Sequence, residues 1–246
     1  MYSTIYTGGL HGMESYLARV GEPLIQYYGF KTIGVWNSRE EIDANPHFST
    51  DVPGGLRIWD ADGNGELNDN DRVPLGNPYP SFTYGMTNTF RIGDFDVSFL
   101  IQGVQGVTVL NGDVFYNETV RYNKAYIKDR WVTAEHPGNG KVPYEKLGTD
   151  LMLTDYGLQD ASYVCLRNFT VGYTFPKRIA RKLHLSALRL YATGNNLFYI
   201  WSDDYKGINP ESRMTSGDYS SPMISGYQRG GFPLTSTVTF GIDLTF

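Results

Sequence analysis

The stretch FTYGMTNTFRIGDFDVSFLIQ, residues 82–102, decides the fold. In its first half Phe82, Tyr84, Met86, Phe90 and Ile92 fall on one side of an extended chain, and Thr83, Thr87, Thr89 and Arg91 on the other. Successive side chains of a strand point to opposite faces, so this reads as a strand with one apolar and one polar face, flawed only by Asn88. Gly93-Asp94 then forms a two-residue link suited to a tight hairpin, because glycine adopts positive φ without steric cost. Beyond it Phe95, Val97, Phe99 and Ile101 alternate with Asp96, Ser98 and Gln102, so the apolar face continues across the turn.

The same alternation recurs downstream. A strand is expected over 163–175, where Phe169, Val171, Tyr173 and Phe175 oppose Asn168, Thr170, Gly172 and Thr174, with Arg167 interrupting its upper end. Another is expected over 188–198, and the basic connection PKRIARKLHLSA between the two has room for a helical turn. At the end of the sequence Val238, Phe240, Ile242, Leu244 and Phe246 alternate without exception against Thr237, Thr239, Gly241, Asp243 and Thr245. Upstream, LIQYYGFKTIGVW reads as one further strand, and SREEIDANP as a brief helix closed by Pro46.

Alternation alone suits a soluble sandwich as well as a membrane barrel, and the spacing between strands separates them. The links at 93–94 and 176–187 are short, whereas 104–162 and 201–234 are long. Barrels of the outer membrane have short periplasmic turns and long extracellular loops, while two long structureless connections are unusual in a compact soluble domain. No apolar run approaches the ~20 residues that a spanning helix needs. Barrel strands hide only alternate residues in lipid, so a mildly polar mean hydropathy does not exclude them. The reading is all-β, an antiparallel transmembrane β-barrel over residues 1–246.

Composition agrees. Aromatic residues make up 15 % of the chain and charged residues only 19 %, which favours strands and turns. A net charge of −5 argues against a nucleic-acid partner, whose phosphates demand clustered Lys and Arg. Cys165 stands alone and closes no internal disulfide. His11, His47, His136 and His184 are scattered, no GxSxG, HExxH or phosphate loop is present, and no catalytic residue is nominated.

The sharpest local motif is DADGNGELNDND, residues 60–71. Asp60, Asp62 and Asn64 alternate, Gly65 permits the sharp turn, Glu66 offers its carbonyl, Asn68 follows directly or through water, and Asp71 closes the loop. This is EF-hand-like spacing, and a hard Ca²⁺ ion takes six to eight such oxygens. A closing Asp in place of the usual Glu implies weaker binding; the bland reading is a soluble Asx-rich turn. The loops also carry aromatic rings suited to stacking on sugars or to holding the loops together: Phe115, Tyr116, Tyr122, Tyr126, Trp131 and Tyr144 in one, Trp201, Tyr205, Tyr219 and Tyr227 in the other. On the polar strand faces Thr87, Arg91, Asn168, Arg189 and Asn195 are candidates to line a lumen.

Several segments together resemble one family. They are VGEPLIQYYGFKTIGVWNSREEID from Val20, DADGNGELNDNDRVPLGNPYPSFTYGMTNTF from Asp60, DASYVCLRNFTVGYTFP from Asp160, LRLYATGNNLF from Leu188, YKGINPE from Tyr205 and the final FGIDLTF. They resemble the SusC-like TonB-dependent transporters. That resemblance implies a C-terminal fragment of a 22-stranded barrel in the cell outer membrane, without the N-terminal plug, the TonB-contacting segment or the signal peptide. It also implies a SusD-like surface lipoprotein as partner, TonB engaged through the missing region, outer-membrane lipid around the strands, and a glycan as the imported nutrient. The alternative reading is a secreted calcium-stabilised β-sandwich that binds carbohydrate.

Overall fold

The structure, a computed structural model, describes residues 4–6, 16–114, 128–144, 153–212, 225–228 and 231–246. In chain order the strands are β1 (Thr4–Tyr6), β2 (Tyr16–Arg19), β3 (Gln26–Gly29), β4 (Thr32–Val35), β5 (Leu56–Ile58), β6 (Val73–Gly76) and β7 (Phe82–Ile92). They continue as β8 (Phe95–Gln105), β9 (Thr108–Asn111), β10 (Leu158–Asp160), β11 (Tyr163–Thr174), β12 (Ala187–Trp201), β13 (Tyr227–Gln228) and β14 (Thr237–Thr245). The short α-helices α1 (Arg39–Asp43) and α2 (Lys177–Lys182) lie between them. The chain divides into two compact units, one of residues 1–79, 108–159 and 211–231, the other of 80–107, 160–210 and 232–246.

The second unit is a five-stranded antiparallel sheet in the order β14-β12-β11-β8-β7. Its limits follow the alternation closely, since the strands expected over 163–175 and 188–198 are found at Tyr163–Thr174 and Ala187–Trp201. Gly93, at φ 61°, supplies the positive-φ position of the hairpin turn, and Ile92 pairs with Phe95 across it. Register aligns the apolar sets: Phe90 with Val97, Val97 with Val171, Val171 with Ala192, and Ala192 with Phe240.

Arg167 does more than interrupt β11. The register shifts between Leu166 and Asn168 against both neighbouring strands, which is a β-bulge. Arg167 bonds Gln102 and Tyr199, and Asn168 bonds Asn195, so two successive residues serve the polar face. The outward set thereby passes from Phe169, Val171 and Tyr173 to Val164 and Leu166, and the apolar face survives the irregularity. Asn196 absorbs the matching strain on β12 with φ 51°.

In the first unit, β1-β2-β3-β6, β10-β9-β13 and β4-β5 form small sheets. Tyr16, Ile25, Tyr27, Leu110 and Tyr227 build one buried cluster, and Phe30, Leu56 and Ile58 another. The single strand expected within 24–36 is instead two, β3 and β4, in different sheets. The cause is a pinch at Gly29, where a Cβ would lie 1.9 Å from the Leu153 carbonyl oxygen while the Phe30 N–H donates to that oxygen at 2.6 Å. The long stretch 104–162 likewise contains β9 and β10 where no regular structure was expected. Helix α1 forms where SREEIDANP places it, with the Ser38 hydroxyl accepting the Glu41 N–H. Trp36 is fully buried beside it, donates to Asp51 at 3.2 Å and carries the Arg57 guanidinium 4.8 Å above its ring.

Candidate functional site

The functional surface of the five-stranded sheet is built by its two faces. On one, Ile92, Ile200, Ile242 and Phe240 are 72 %, 65 %, 63 % and 80 % exposed, and Phe82, Met86, Phe95, Phe198 and Val238 are also open. A soluble sandwich would bury this face against a second sheet. A continuous exposed apolar surface across five strands is instead the lipid-facing pattern of a membrane barrel. The structure therefore favours the barrel over the sandwich. Tyr84 lies flat over Gly103, where a Cβ would approach its ring to 2.1 Å, so the pairing of a ring with a bare backbone closes the surface there.

The opposite face is a hydrogen-bonded polar network. Arg189 on β12 reaches across β11 to Asp96 on β8, donating from Nε at 2.9 Å and from Nη2 at 2.6 Å, and also bonds Asp243 on β14 at 2.8 Å. The crossing is possible because Gly172 on β11 has no side chain: a Cβ there would lie 2.4 Å from Nη2 and 2.6 Å from Asp96 Oδ1. The Thr170 and Thr193 hydroxyls meet at 2.9 Å, and Asn168 donates to Asn195 at 2.9 Å. Of the lumen candidates, Asn168, Arg189 and Asn195 thus join strands, while Thr87 and Arg91 stand exposed on β7 at the sheet's edge. Asp96, Asp243 and the Gly172 gap were not singled out from sequence; the signal was a glycine alternating with polar residues beside an arginine on the next strand.

In the first unit the 60–71 loop brings Asp60, Asp62 and Asp71 together, with one carboxylate oxygen of each within 4.8 Å of the others. Asp71 is fully buried and accepts the N–H groups of Ala61 and Asn68, each at 2.8 Å. Asp60 accepts from Gly65 and Gly63, and these bonds, the Gly65 one foremost, hold its carboxyl below the ordinary range. Gly63 and Gly65 both have positive φ, at 70° and 87°, which folds the loop around Asp60. Asn64 Oδ1 accepts the Glu66 N–H and Asn68 Oδ1 the Asn70 N–H, so these two amides are engaged in the loop's own turns. The donor set is all hard oxygen, and a carboxylate oxygen that accepts one N–H retains a lone pair for a cation, so the residues fit calcium.

The loop aromatics divide. Tyr205 and Tyr227 are buried, and the Tyr205 hydroxyl accepts the Asn209 N–H at 3.1 Å, so both hold structure together. Trp131 donates to Asn37 at 3.0 Å and meets Tyr144 edge-on at 6.1 Å, leaving Tyr144 and Trp201 as the exposed rings. Phe115, Tyr116, Tyr122, Tyr126 and Tyr219, with His11, lie outside the described residues.

No protein-family model matches the chain. Among curated proteins, it is 31 % identical over 237 residues to TonB-dependent receptor P26 of Formosa agariphila, covering 92 % of this chain and 23 % of that receptor. It is 31 % identical to TonB-dependent receptor P3 of the same organism, over 95 % of this chain and 23 % of the receptor. To TonB-dependent receptor SusC of Bacteroides thetaiotaomicron it is 26 % identical over 192 residues, 76 % of this chain and 17 % of SusC. Among solved structures, the RagAB peptide transporter matches with TM-score 0.69 at 18 % identity, over 94 % of this chain and 24 % of that one. The RagAB peptide importer in its closed-closed state matches with TM-score 0.65 at 17 % identity, again over 94 % and 24 %.

A sheet that is apolar on one face and hydrogen-bonded on the other, in a chain with these relatives, defines the class: this is a β-barrel portion of a TonB-dependent receptor. The chain belongs to the TonB-dependent receptors, and within that family it is similar to SusC over 76 % of its length. It spans about a quarter of the length of the curated relatives it matches first.

Proposed function

We propose that the chain is part of the wall and loops of an outer-membrane importer that takes up a nutrient, a glycan, with energy delivered through TonB and with a SusD-like lipoprotein as partner. The observation that carries this reading is the uncovered apolar face of the five-stranded sheet backed by a polar network. Such a wall passes a polar solute only as part of a closed barrel, because open strand edges in lipid leave unpaired N–H and C=O groups at several kcal/mol each. The names of the relatives support the coarse class, and SusC supports the partner. The RagAB structures are of a peptide transporter, which makes peptide the competing substrate.

The test is uptake by the complete receptor carrying this chain, in cells with and without TonB, offered labelled oligosaccharides and labelled oligopeptides. TonB-dependent entry of oligosaccharide supports the proposal. Entry of peptide alone reassigns the substrate, and entry of neither contradicts import. The same proposal gives the 60–71 loop a structural Ca²⁺, held by Asp60, Asp62 and Asp71 with Asn64, Asn68 and the Glu66 carbonyl completing the shell.

A further inference from the structure

The connection between β11 and β12 is built for more than reversing the chain. Ala180 and Leu185 are buried and fasten α2 to the sheet, while the Phe175 N–H donates to Leu188 at 2.9 Å and the Ser186 N–H to Thr245 at 2.6 Å. Everything else on the helix is open. Ile179 and Leu183, four residues apart and therefore on one stripe, are 42 % and 57 % exposed. Lys177 with Arg181, and Arg178 with Lys182, form two further stripes by the same spacing, all four exposed. Among the described residues none of these four cations has an ion-pair partner. No Asp or Glu occurs in the sequence between Asp160 and Asp203.

This helix stands at the end of the sheet where Phe95 pairs with Tyr173, Tyr173 with Leu190, and Leu190 with Ile242, which is one rim of the apolar face. An apolar stripe flanked by Lys and Arg is the pattern of a helix lying in a bilayer interface, with aliphatic groups in the acyl boundary and long basic side chains reaching the phosphates. Continuity with the lipid-facing surface and the uncompensated positive charge identify the occupant.

We infer that α2 is a docking element for anionic phospholipid: Ile179 and Leu183 enter the acyl boundary, and Lys177, Arg178, Arg181 and Lys182 bind headgroup phosphates of the adjoining leaflet. The inference rests on the sheet being a barrel wall. It is tested by hydrogen exchange of the complete receptor carrying this chain, in nanodiscs of phosphatidylcholine with or without phosphatidylglycerol. Residues 97–101 of β8 serve as the control for insertion.

With phosphatidylglycerol, exchange over 177–185 slows at least ~5-fold, the factor expected from one cation well placed near an anionic surface. The difference disappears at high salt and in the K177Q/R178Q/R181Q/K182Q variant, whose β8 stays protected. Equal exchange in both discs, with β8 protected, overturns the inference. So does equal slowing by free inorganic phosphate in neutral discs, which would mark an anion site without lipid. Unprotected β8 in both discs would instead bring down the barrel reading itself.

Discussion

Replacing Gly172 by Ala is expected to destabilise the sheet by breaking a contact that Gly172 does not itself make. A methyl at 172 would stand 2.4 Å from Arg189 Nη2, 2.6 Å from its Nε and 2.6 Å from Asp96 Oδ1. The guanidinium is the far end of a flexible side chain and swings aside at little steric cost, but it then leaves Asp96. What is lost is a bidentate pair with bonds of 2.9 and 2.6 Å. Charge-assisted bonds contribute about 1.5–3 kcal/mol when shielded. With the two side chains 28 % and 34 % exposed, solvent reduces the loss to about 1–2 kcal/mol. In an Arg189→Met background the same methyl meets no guanidinium, and the Asp96 carboxylate, released from its partner, turns away from it, so G172A becomes neutral or stabilising by about 0.5 kcal/mol, since alanine surrenders less backbone freedom than glycine. The assay is urea unfolding of the refolded barrel in micelles for all four members of the cycle. A coupling energy of about 1–2 kcal/mol is expected, and additivity within about 0.5 kcal/mol would refute the reasoning.

Three further outcomes follow from the same structure. His184 ends α2 with φ 58°, its N–H bonded to Arg181 and that of Leu185 to Ala180, so His184→Gly stabilises this turn by about 0.5–1 kcal/mol, read as slower exchange over 180–186; faster exchange contradicts the left-handed cap. Asp60→Ala with Asp62→Ala abolishes a calcium-dependent rise in Tm, and a parent receptor whose Tm ignores calcium removes the ion from the account. Burial pushes the Asp51 carboxyl above the ordinary carboxylate range, so folding favours its protonated form. The segment around Trp36 therefore gains stability as pH falls through the raised native value and loses it as pH rises again, and Asp51→Asn flattens this dependence in exchange measured over 36–58; an unchanged profile refutes the assignment.

The strands were legible because a lipid-facing strand must alternate: its outward residues meet acyl chains and its inward residues meet each other's polar groups. That is why β7, β8 and β14 could be read almost to their ends. The bulge was only half legible. Arg167 stood out as an interruption, but the change of phase from Phe169 to Leu166 needs the partner strands, since a bulge is a relation between strands. The pinch that divides β3 from β4 was hidden because its cause, the Leu153 carbonyl, lies more than a hundred residues away in sequence. The acidic loop was legible as a set of spacings, and the structure brings its three carboxylates together. It engages Asn64 and Asn68 in local turns, which spacing alone does not show. Arg189 was placed on the polar face, but its reach over Gly172 to Asp96 depends on sheet order, which alternation does not encode.

The central claim is that the outward face of the five-stranded sheet meets lipid. Nitroxide labels placed one at a time along residues 237–245 and 163–173, in the receptor reconstituted into liposomes, test it directly through collision with oxygen and with a water-soluble nickel complex. Oxygen access is predicted to peak at 238, 240, 242 and 244, and on β11 at 169, 171 and 173 but then at 166 and 164, with the phase change at Arg167. Labels on both faces reached equally by the nickel complex, or an outward face reached by neither probe, would contradict a lipid-exposed barrel wall.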